Sequence, residues 1–298
     1  MKVGFVSRDG RIIPVMPTAC GLQDLSRFAE ILLPGFNFPV GIALLRALSD
    51  NEPRTMTVLQ AARSAAARED GCMTVDPEGI RWLPPVPDTR QIIAVGLNYR
   101  SHCIEQNIPI PAEPKFFAKL VSSLTGHLEP IRLWEISSRI DYEGELGIVI
   151  GRQTRAVTLS GALACIGGYT IVNDVSARDL QKGDGQWTRA KGLDTFCPMG
   201  PFLTTPDEVP DPDNLRILTT VNDVIRQDCS TSDMIFGVAR LVSTISNFIT
   251  LMPGDVISTG TPCGVGLYSD PPCFLKAGDV VNICIEGLGT LSNVAMNP

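Results

Sequence analysis

The 298-residue chain is short of histidine, with two, and short of base, with 25 lysines and arginines against 32 aspartates and glutamates. The net charge of −7 argues against a nucleic-acid backbone or an anionic membrane surface as partner, although a pocket for an organic acid can still be locally basic. No CxxC pair occurs among the nine cysteines, Cys20, Cys72, Cys103, Cys165, Cys197, Cys229, Cys263, Cys273 and Cys284, which are odd in number and scattered. Neither a disulfide framework nor a thiolate zinc site fits that pattern, and we read them as mostly reduced, small core hydrophobes. Long apolar runs are missing too. The opening MKVGFVSRDGRIIPV meets Arg8 and Asp9 before a signal-like apolar stretch can build up, and no later run approaches a membrane span. We therefore expect a cytoplasmic protein without membrane association.

What is present is a globular composition, 44% hydrophobic and 19% charged, on a chain long enough for one large domain or two ordinary ones. Residues 1–85 read as an opening hairpin, a helix over LQDLSRFAEILL and an alanine-rich helix near VLQAARSAAARED. The segment RWLPPVPDTRQ, with Pro84, Pro85 and Pro87, can continue neither a helix nor a central strand, so we place a boundary there. The expected division is a small N-terminal domain, 1–87, and a second domain, 88–298.

Beyond the boundary, QIIAVGLNY reads as a strand, 99–107 as a short helical or lid-like piece, and IGGYTIVNDV as a strand. Ser176 and Asp179 in SARDLQ resemble a capping box at a helix start. A further helix is expected over SDMIFGVARLVSTISNFITL, with Ile235, Val238, Leu241, Val242, Ile245 and Phe248 on one stripe. GDVISTGTPCGVG and GDVVNICIEGLGTL each predict a strand entered through a Gly-Asp turn. Strands outnumber helices without regular βα alternation, which favours a mixed or largely antiparallel α+β architecture, predominantly β.

Three carboxylates crowd the segment DYEGELGIVIG. Alternation along one strand would set Asp141, Glu143 and Glu145 on one face and Tyr142, Leu146, Ile148 and Ile150 on the other. Side chains at i and i+2 start only about 7 Å apart, so such acids repel unless water or a cation lies between them. A solvated strand end is the plain explanation; a hard divalent cation is the other, and it needs a further acid. Asp174 is a candidate, leaving the strand TIVND just before a helix, although an aspartate there can equally serve a turn. Arg178 and Gln181 lie one helical turn on and share a face, with an Arg178 ion pair to Asp179 or Asp184 as the alternative. His102 precedes Glu105 at a spacing that stacks a carboxylate against the imidazole and could orient it as a general base; a structural histidine is the alternative. His127, in TGHLEP, has no partner motif.

Taken in series, VGLNYRSHCIE, DYEGELGIVIG, GYTIVNDVSARDLQ, KGLDTFCPMGP, TSDMIFGV and GDVISTGTPCGVG resemble the fumarylacetoacetate hydrolase family over residues 90–290. The resemblance implies a mixed β-roll catalytic domain preceded by a small N-terminal α/β domain, often a homodimer. It implies one divalent cation, Mg²⁺ or Mn²⁺ with Ca²⁺ admitted, held by Glu143, Glu145 and Asp174. It further implies His102 and Glu105 as the proton-handling pair, Lys191 beside the metal, and Arg178, Gln181 and Thr261 at the substrate. Asp141 stands outside that set. For Lys191 the plain alternative is a surface lysine. The segments QNIPIPAEP and LEPIRLWEISSR belong to loops that the resemblance places over substrate, and Trp134 has no counterpart in it.

The function so implied is hydrolysis of a carbon–carbon bond in an acylpyruvate or other 1,3-diketo acid through a metal-stabilised enolate. An oxaloacetate-type decarboxylase or an isomerase of unsaturated 2-oxo diacids would use the same site. A non-catalytic binding protein that keeps the fold is the remaining alternative, although a scaffold requires none of these charged groups.

Overall fold

The structure is a computed structural model that describes residues 1–68 and 73–298, with the side chains of Arg68 and Asp184 excepted. Glu69 and Asp70, at the end of the expected alanine-rich helix, and Cys72 lie outside the described residues, as does the Asp184 side chain.

The first segment builds β1 (Lys2–Arg8), β2 (Arg11–Thr18) and β3 (Gly21–Asp24), then α1 (Leu25–Leu32), α2 (Ile42–Ser49), α3 (Pro53–Arg68) and β4 (Arg81–Leu83). The helix expected from Leu22 begins three residues later. Leu22, Gln23 and Asp24 pair with β2, and the Asp24 carboxylate caps α1 by accepting from the Ser26 and Arg27 amides.

The remainder continues with β5 (Ile92–Gly96), α4 (Arg100–Glu105), β6 (Lys115–Lys119), β7 (Leu124–Thr125), β8 (Ile131–Arg132) and β9 (Ile140–Asp141). It goes on through β10 (Gly144–Ile150), β11 (Ile166–Asn173), β12 (Ser176–Ala177), α5 (Arg178–Asp184), α6 (Trp187–Lys191) and β13 (Cys197–Thr204). It ends with β14 (Arg216–Val221), β15 (Val224–Ser230), α7 (Val238–Phe248), β16 (Val256–Ser258), β17 (Val280–Ile285) and β18 (Gly289–Met296).

The largest sheet runs β3-β2-β1-β13-β11-β10-β16-β5-β6, so strands of the first 87 residues are hydrogen-bonded into it through β1 and β13. A second sheet, β15-β14-β17-β18-β8, packs beside it. Most pairings are antiparallel, with β5 and β16 parallel, and strand exceeds helix, 34% against 26%, as the α+β, mostly β expectation requires. Strand β10 lies at the centre and is buried at every position. Leu146, Ile148 and Ile150 join the main core, whereas Val149 packs with Ile42, Leu45 and Val172 in another, so both faces of the strand are covered.

Two helical expectations are corrected. Helix α7 starts at Val238 rather than Ser232, because the Asp213 carboxylate accepts from the Val238 amide and caps it from a distant loop. Ile235 precedes the helix, with its amide bonded to the Asn98 carbonyl, and Phe248 is 69% exposed against Phe116 rather than part of the core stripe. Ser176 does not cap α5, whose capping residue is Ala177; Ser176 lies in β12 and donates its hydroxyl to the Asp174 carbonyl. Asp179 instead accepts from the Ser137 hydroxyl and the Ser138 amide. Among the described residues no helix is long and apolar enough to cross a membrane. Of the described cysteines, Cys103, Cys165 and Cys197 are buried, Cys20 is exposed, and the other four lie between.

Candidate active site

Antiparallel register assembles the acids. Gly144 at the head of β10 pairs with Asn173 at the end of β11, so Glu143 comes opposite Asp174, and the Asp174 amide donates to the Glu143 carbonyl at 2.9 Å. Glu145, two residues on, returns to the same side. One carboxylate oxygen from each of Glu143, Glu145 and Asp174 lies within 4.8 Å of the others, and all three residues are buried. A solvated strand end is thereby excluded: these charges have been taken out of water.

Asp141 does not share that face. The strand breaks after β9, Asp141 pairs with Ser176 of β12, and its carboxylate turns to the Arg178 guanidinium and to the Gly266 and Leu267 amides. The expected row of three acids along one strand is therefore two acids plus a separate anchor.

Cations interleave with the triad. Lys191, at the end of α6, places Nζ 2.5 Å from Glu143 Oε2 and 2.6 Å from Asp174 Oδ2. It is buried, not a surface lysine. Arg178 Nη1 lies 2.7 Å from Glu143 Oε1 and donates to Gln181 Oε1 at 3.1 Å, as their spacing on one helix turn predicts. Lys119, at the end of β6, was not singled out from the sequence, where it reads as an ordinary strand-edge lysine. Its Nζ lies 2.6 Å from Asp174 Oδ1 and also donates to the Lys191 carbonyl, which ties β6 to α6 behind the acids.

Glu145 is treated differently. Its Oε2 accepts from Ser258 Oγ at 2.5 Å and from the Gly260 amide at 2.9 Å, and among the described residues no ammonium or guanidinium forms an ion pair with it. Burial, then the neighbouring Asp174 and Glu143 charges, push its carboxyl up to about 8. Glu143 goes the other way: burial opposes its charge, but Arg178 and Lys191 outweigh this and hold it down to about 2. Burial also disfavours the Lys191 ammonium, yet Asp174 and Glu143 keep it above its ordinary value. The donor set fits a hard divalent ion on these grounds. It is all oxygen, it is buried, and one of its carboxylates is left starved of positive charge.

Beside the acids, His102 on α4 presents Nδ1 at 2.7 Å from Glu105 Oε2, while Glu105 Oε1 accepts from the Gly264 amide at 2.7 Å. With Nδ1–H donating to the Glu105 carboxylate, Nε2 is left as an acceptor. His102, the three acids, Lys191, Arg178, Gln181 and Thr261 all border one cavity of about 200 Å³. Thr261 Oγ1 is engaged with the Gly144 carbonyl and Gln227 Nε2. Its lining includes aromatic rings: Phe117 and Trp187 meet edge to face at 5.2 Å, and the Tyr268 ring lies 6.1 Å from that of His102. Lys182, also missed in the sequence, lies near the mouth with Nζ 5.8 Å from the Tyr268 ring.

The two loops expected over substrate differ from one another. Gln106 borders the cavity and accepts from the Tyr268 hydroxyl, whereas Trp134 donates to the Asp194 carbonyl and lines a shallow surface depression with Glu135, Ile136 and Leu193. His127 stands apart. It packs edge-on to Trp82 at 5.1 Å, accepts from the Ser292 amide, and is held by burial at about 4, so it stays neutral.

Comparison with known proteins agrees with this architecture. A sequence model of the fumarylacetoacetate (FAA) hydrolase C-terminal domain matches residues 91–295. A 2,4-didehydro-3-deoxy-L-rhamnonate hydrolase from Sphingomonas sp. (strain SKA58) is 47% identical over 249 residues, 83% of this chain and 86% of that protein. The mitochondrial oxaloacetate tautomerase fahd2 of Xenopus laevis is 44% identical over 239 residues, 80% of this chain and 74% of that protein. Among solved structures, a fumarylacetoacetate hydrolase from psychrophilic Exiguobacterium antarcticum superposes with a TM-score of 0.77 at 34% identity, covering all of both chains.

Proposed function

Because the chain belongs to the fumarylacetoacetate hydrolase family, we propose that it is a divalent-metal-dependent hydrolase that cleaves the carbon–carbon bond of an acylpyruvate or related 1,3-diketo acid. The observation that carries this reading is that His102, paired with Glu105, borders the same small cavity as the three acids. Glu143, Glu145 and Asp174 would hold Mg²⁺ or Mn²⁺, and when bound the ion supplies Lewis acidity that stabilises negative charge on a keto oxygen.

The remaining work falls to side chains. Arg178, Gln181 and Thr261 orient the acid, with the substrate carboxylate on the Arg178 side of the cavity. His102 Nε2, its tautomer set by Glu105, takes a proton from water as the water oxygen attacks the acyl carbonyl. The carbon–carbon bond then breaks, its electron pair leaves as pyruvate enolate, and the proton on His102 returns to the enolate carbon. Water is thus divided between the released carboxylic acid and pyruvate. Lys191 offsets the negative charge of the acids through each step. We assign this chemistry to residues 88–298, with 1–87 as a smaller N-terminal domain, in a homodimeric cytoplasmic enzyme.

A second reading, proton transfer at C3 of oxaloacetate or an unsaturated 2-oxo diacid, is favoured by the tautomerase relative. Decarboxylation on the same metal site would require no activated water. The test is a product-resolved assay of acylpyruvates, oxaloacetate and unsaturated 2-oxo diacids with Mg²⁺-loaded protein and its His102→Ala variant. Hydrolysis predicts pyruvate plus a carboxylic acid, lost by at least about a hundredfold in the variant. Inert acylpyruvates alongside rapid keto–enol exchange of oxaloacetate would replace the first reading by the second.

A further inference from the structure

Asp141 lies outside the metal-ligand set and does not border the cavity, yet it is fully buried and saturated with donors. Its Oδ1 accepts from the Tyr142 and Gly266 amides at 2.9 and 2.8 Å, and its Oδ2 accepts from the Leu267 amide at 2.9 Å and from Arg178 Nε at 2.8 Å. A buried carboxylate costs several kcal/mol unless it is paired. The three backbone amides ask only for an acceptor, which an amide oxygen could supply; the negative charge answers Arg178.

Its partner shows the complementary pattern. Arg178 is 4% exposed; Nε is committed to Asp141, Nη1 to Glu143 and Gln181, and Nη2 is buried with no hydrogen-bond partner. A guanidinium held in a fork on one side leaves its remaining donors in a fixed direction. Arg178 borders the cavity, so the edge that Asp141 holds sets the direction in which the guanidinium meets what the cavity receives.

We propose that Asp141 is a positioning residue that locks Arg178 so that its guanidinium, at the cavity wall, receives the carboxylate of the 2-oxo acid. The same carboxylate pins Gly266 and Leu267, and so fixes the part of the cavity wall formed by Leu267 and Tyr268. This rests on the reading of the site as a 2-oxo-acid site, and it adds the residue that selects for the acid group. Asp141 acts through Arg178, without touching substrate.

The test uses binding rather than turnover. Mg²⁺ is titrated calorimetrically into wild type and the Asp141→Asn and Arg178→Lys variants, and then pyruvate or the uncharged dione butane-2,3-dione into each Mg²⁺-loaded protein. Asp141→Asn should weaken pyruvate at least about tenfold, with Mg²⁺ and butane-2,3-dione each changing less than about threefold. Arg178→Lys, which leaves Asp141 in place, should lose pyruvate at least as severely, because a single ammonium taken by Asp141 has no fixed second donor to offer. It therefore provides the test if the asparagine variant does not fold. Wild-type pyruvate affinity in either folded variant, or equal losses for pyruvate and the dione, would overturn the assignment. Wild type that binds Mg²⁺ but no pyruvate would overturn the 2-oxo-acid reading itself.

Discussion

The Lys191 ammonium lies 2.5 Å from Glu143 Oε2, with both side chains all but closed to solvent. The same nitrogen bridges to Asp174, so without an ion in place one lysine separates two of the three acids. Lys191→Met removes that bridge while keeping most of the side-chain volume. Metal-free Lys191→Met should be less stable than metal-free wild type by about 3–5 kcal/mol, the usual cost of stripping one partner from a buried pair. Mg²⁺ should restore much of it. Urea unfolding with EDTA or with Mg²⁺ measures both, and equal midpoints in EDTA would show that the ammonium is not needed as a counter-ion.

Chelation should abolish turnover, and Mg²⁺ or Mn²⁺ should bring it back. The cleanest ligand substitution is Glu145→Gln, because Glu143 also holds Arg178 and Lys191 and its removal would strand two cations. Glu145→Gln should lower Mg²⁺ affinity by at least about tenfold with little loss of metal-free stability. Calorimetric titration beside a melting curve checks this; unchanged affinity would remove Glu145 from the ligand set.

Proton linkage at Glu145 gives a signed pH dependence. Its carboxyl is raised from 4.5 to about 8 in the metal-free fold, so between those values the folded state binds more protons than the unfolded state and stability falls as pH rises. His127, lowered from 6.5 to about 4, acts oppositely, its stability contribution growing as pH rises from 4 to 6.5. From pH 6.5 to 8 the His127 contribution is complete and no longer opposes the Glu145 trend. Over that window metal-free protein should lose on the order of 1–2 kcal/mol, and Glu145→Gln or saturating Mg²⁺ should flatten the trend. Guanidinium unfolding at half-unit pH steps decides it, and stability that rises across the window in wild type would contradict the assignment.

Alternating acids in an otherwise apolar strand, and an aspartate at a strand exit, mark Glu143, Glu145 and Asp174 as candidates, but it is the family resemblance that groups these three and sets Asp141 aside. His102 and Glu105 share one helical turn, so their pairing was local too. Asp141 was misassigned to the strand face since the break between β9 and β10 depends on the pairing of Asp141 with Ser176, a partner 35 residues away. Lys119 was missed for a similar reason: KFFAK has the pattern of a surface strand, and only the packing of α6 against the end of β6 buries its ammonium. The late start of α7 likewise belongs to Asp213, which no window around Val238 contains.

Gly264 supplies the last test, because its backbone holds the proton-handling pair in place. It has φ of +100°, its amide donates to Glu105, and its carbonyl accepts from the Tyr142 hydroxyl at 3.1 Å. An added Cβ would fall 1.9 Å from the Arg226 carbonyl oxygen, so the loop must move as well as bear the unfavourable backbone angle. Gly278 is the control, with φ of +93° and nothing within 4 Å of its Cβ position. Gly278→Ala should cost only the backbone strain, about 1 kcal/mol, with kcat unchanged. Gly264→Ala should cost more, about 2 kcal/mol or above, and should lower kcat by at least about tenfold with a smaller loss of Mg²⁺ affinity, since Glu143 and Asp174 make no hydrogen bond to this loop and Glu145 meets it only at Gly260, four residues earlier. If the two alanine variants behave alike in kcat, the Gly264 amide is not what keeps Glu105 behind His102, and the orientation of the imidazole must come from elsewhere in α4.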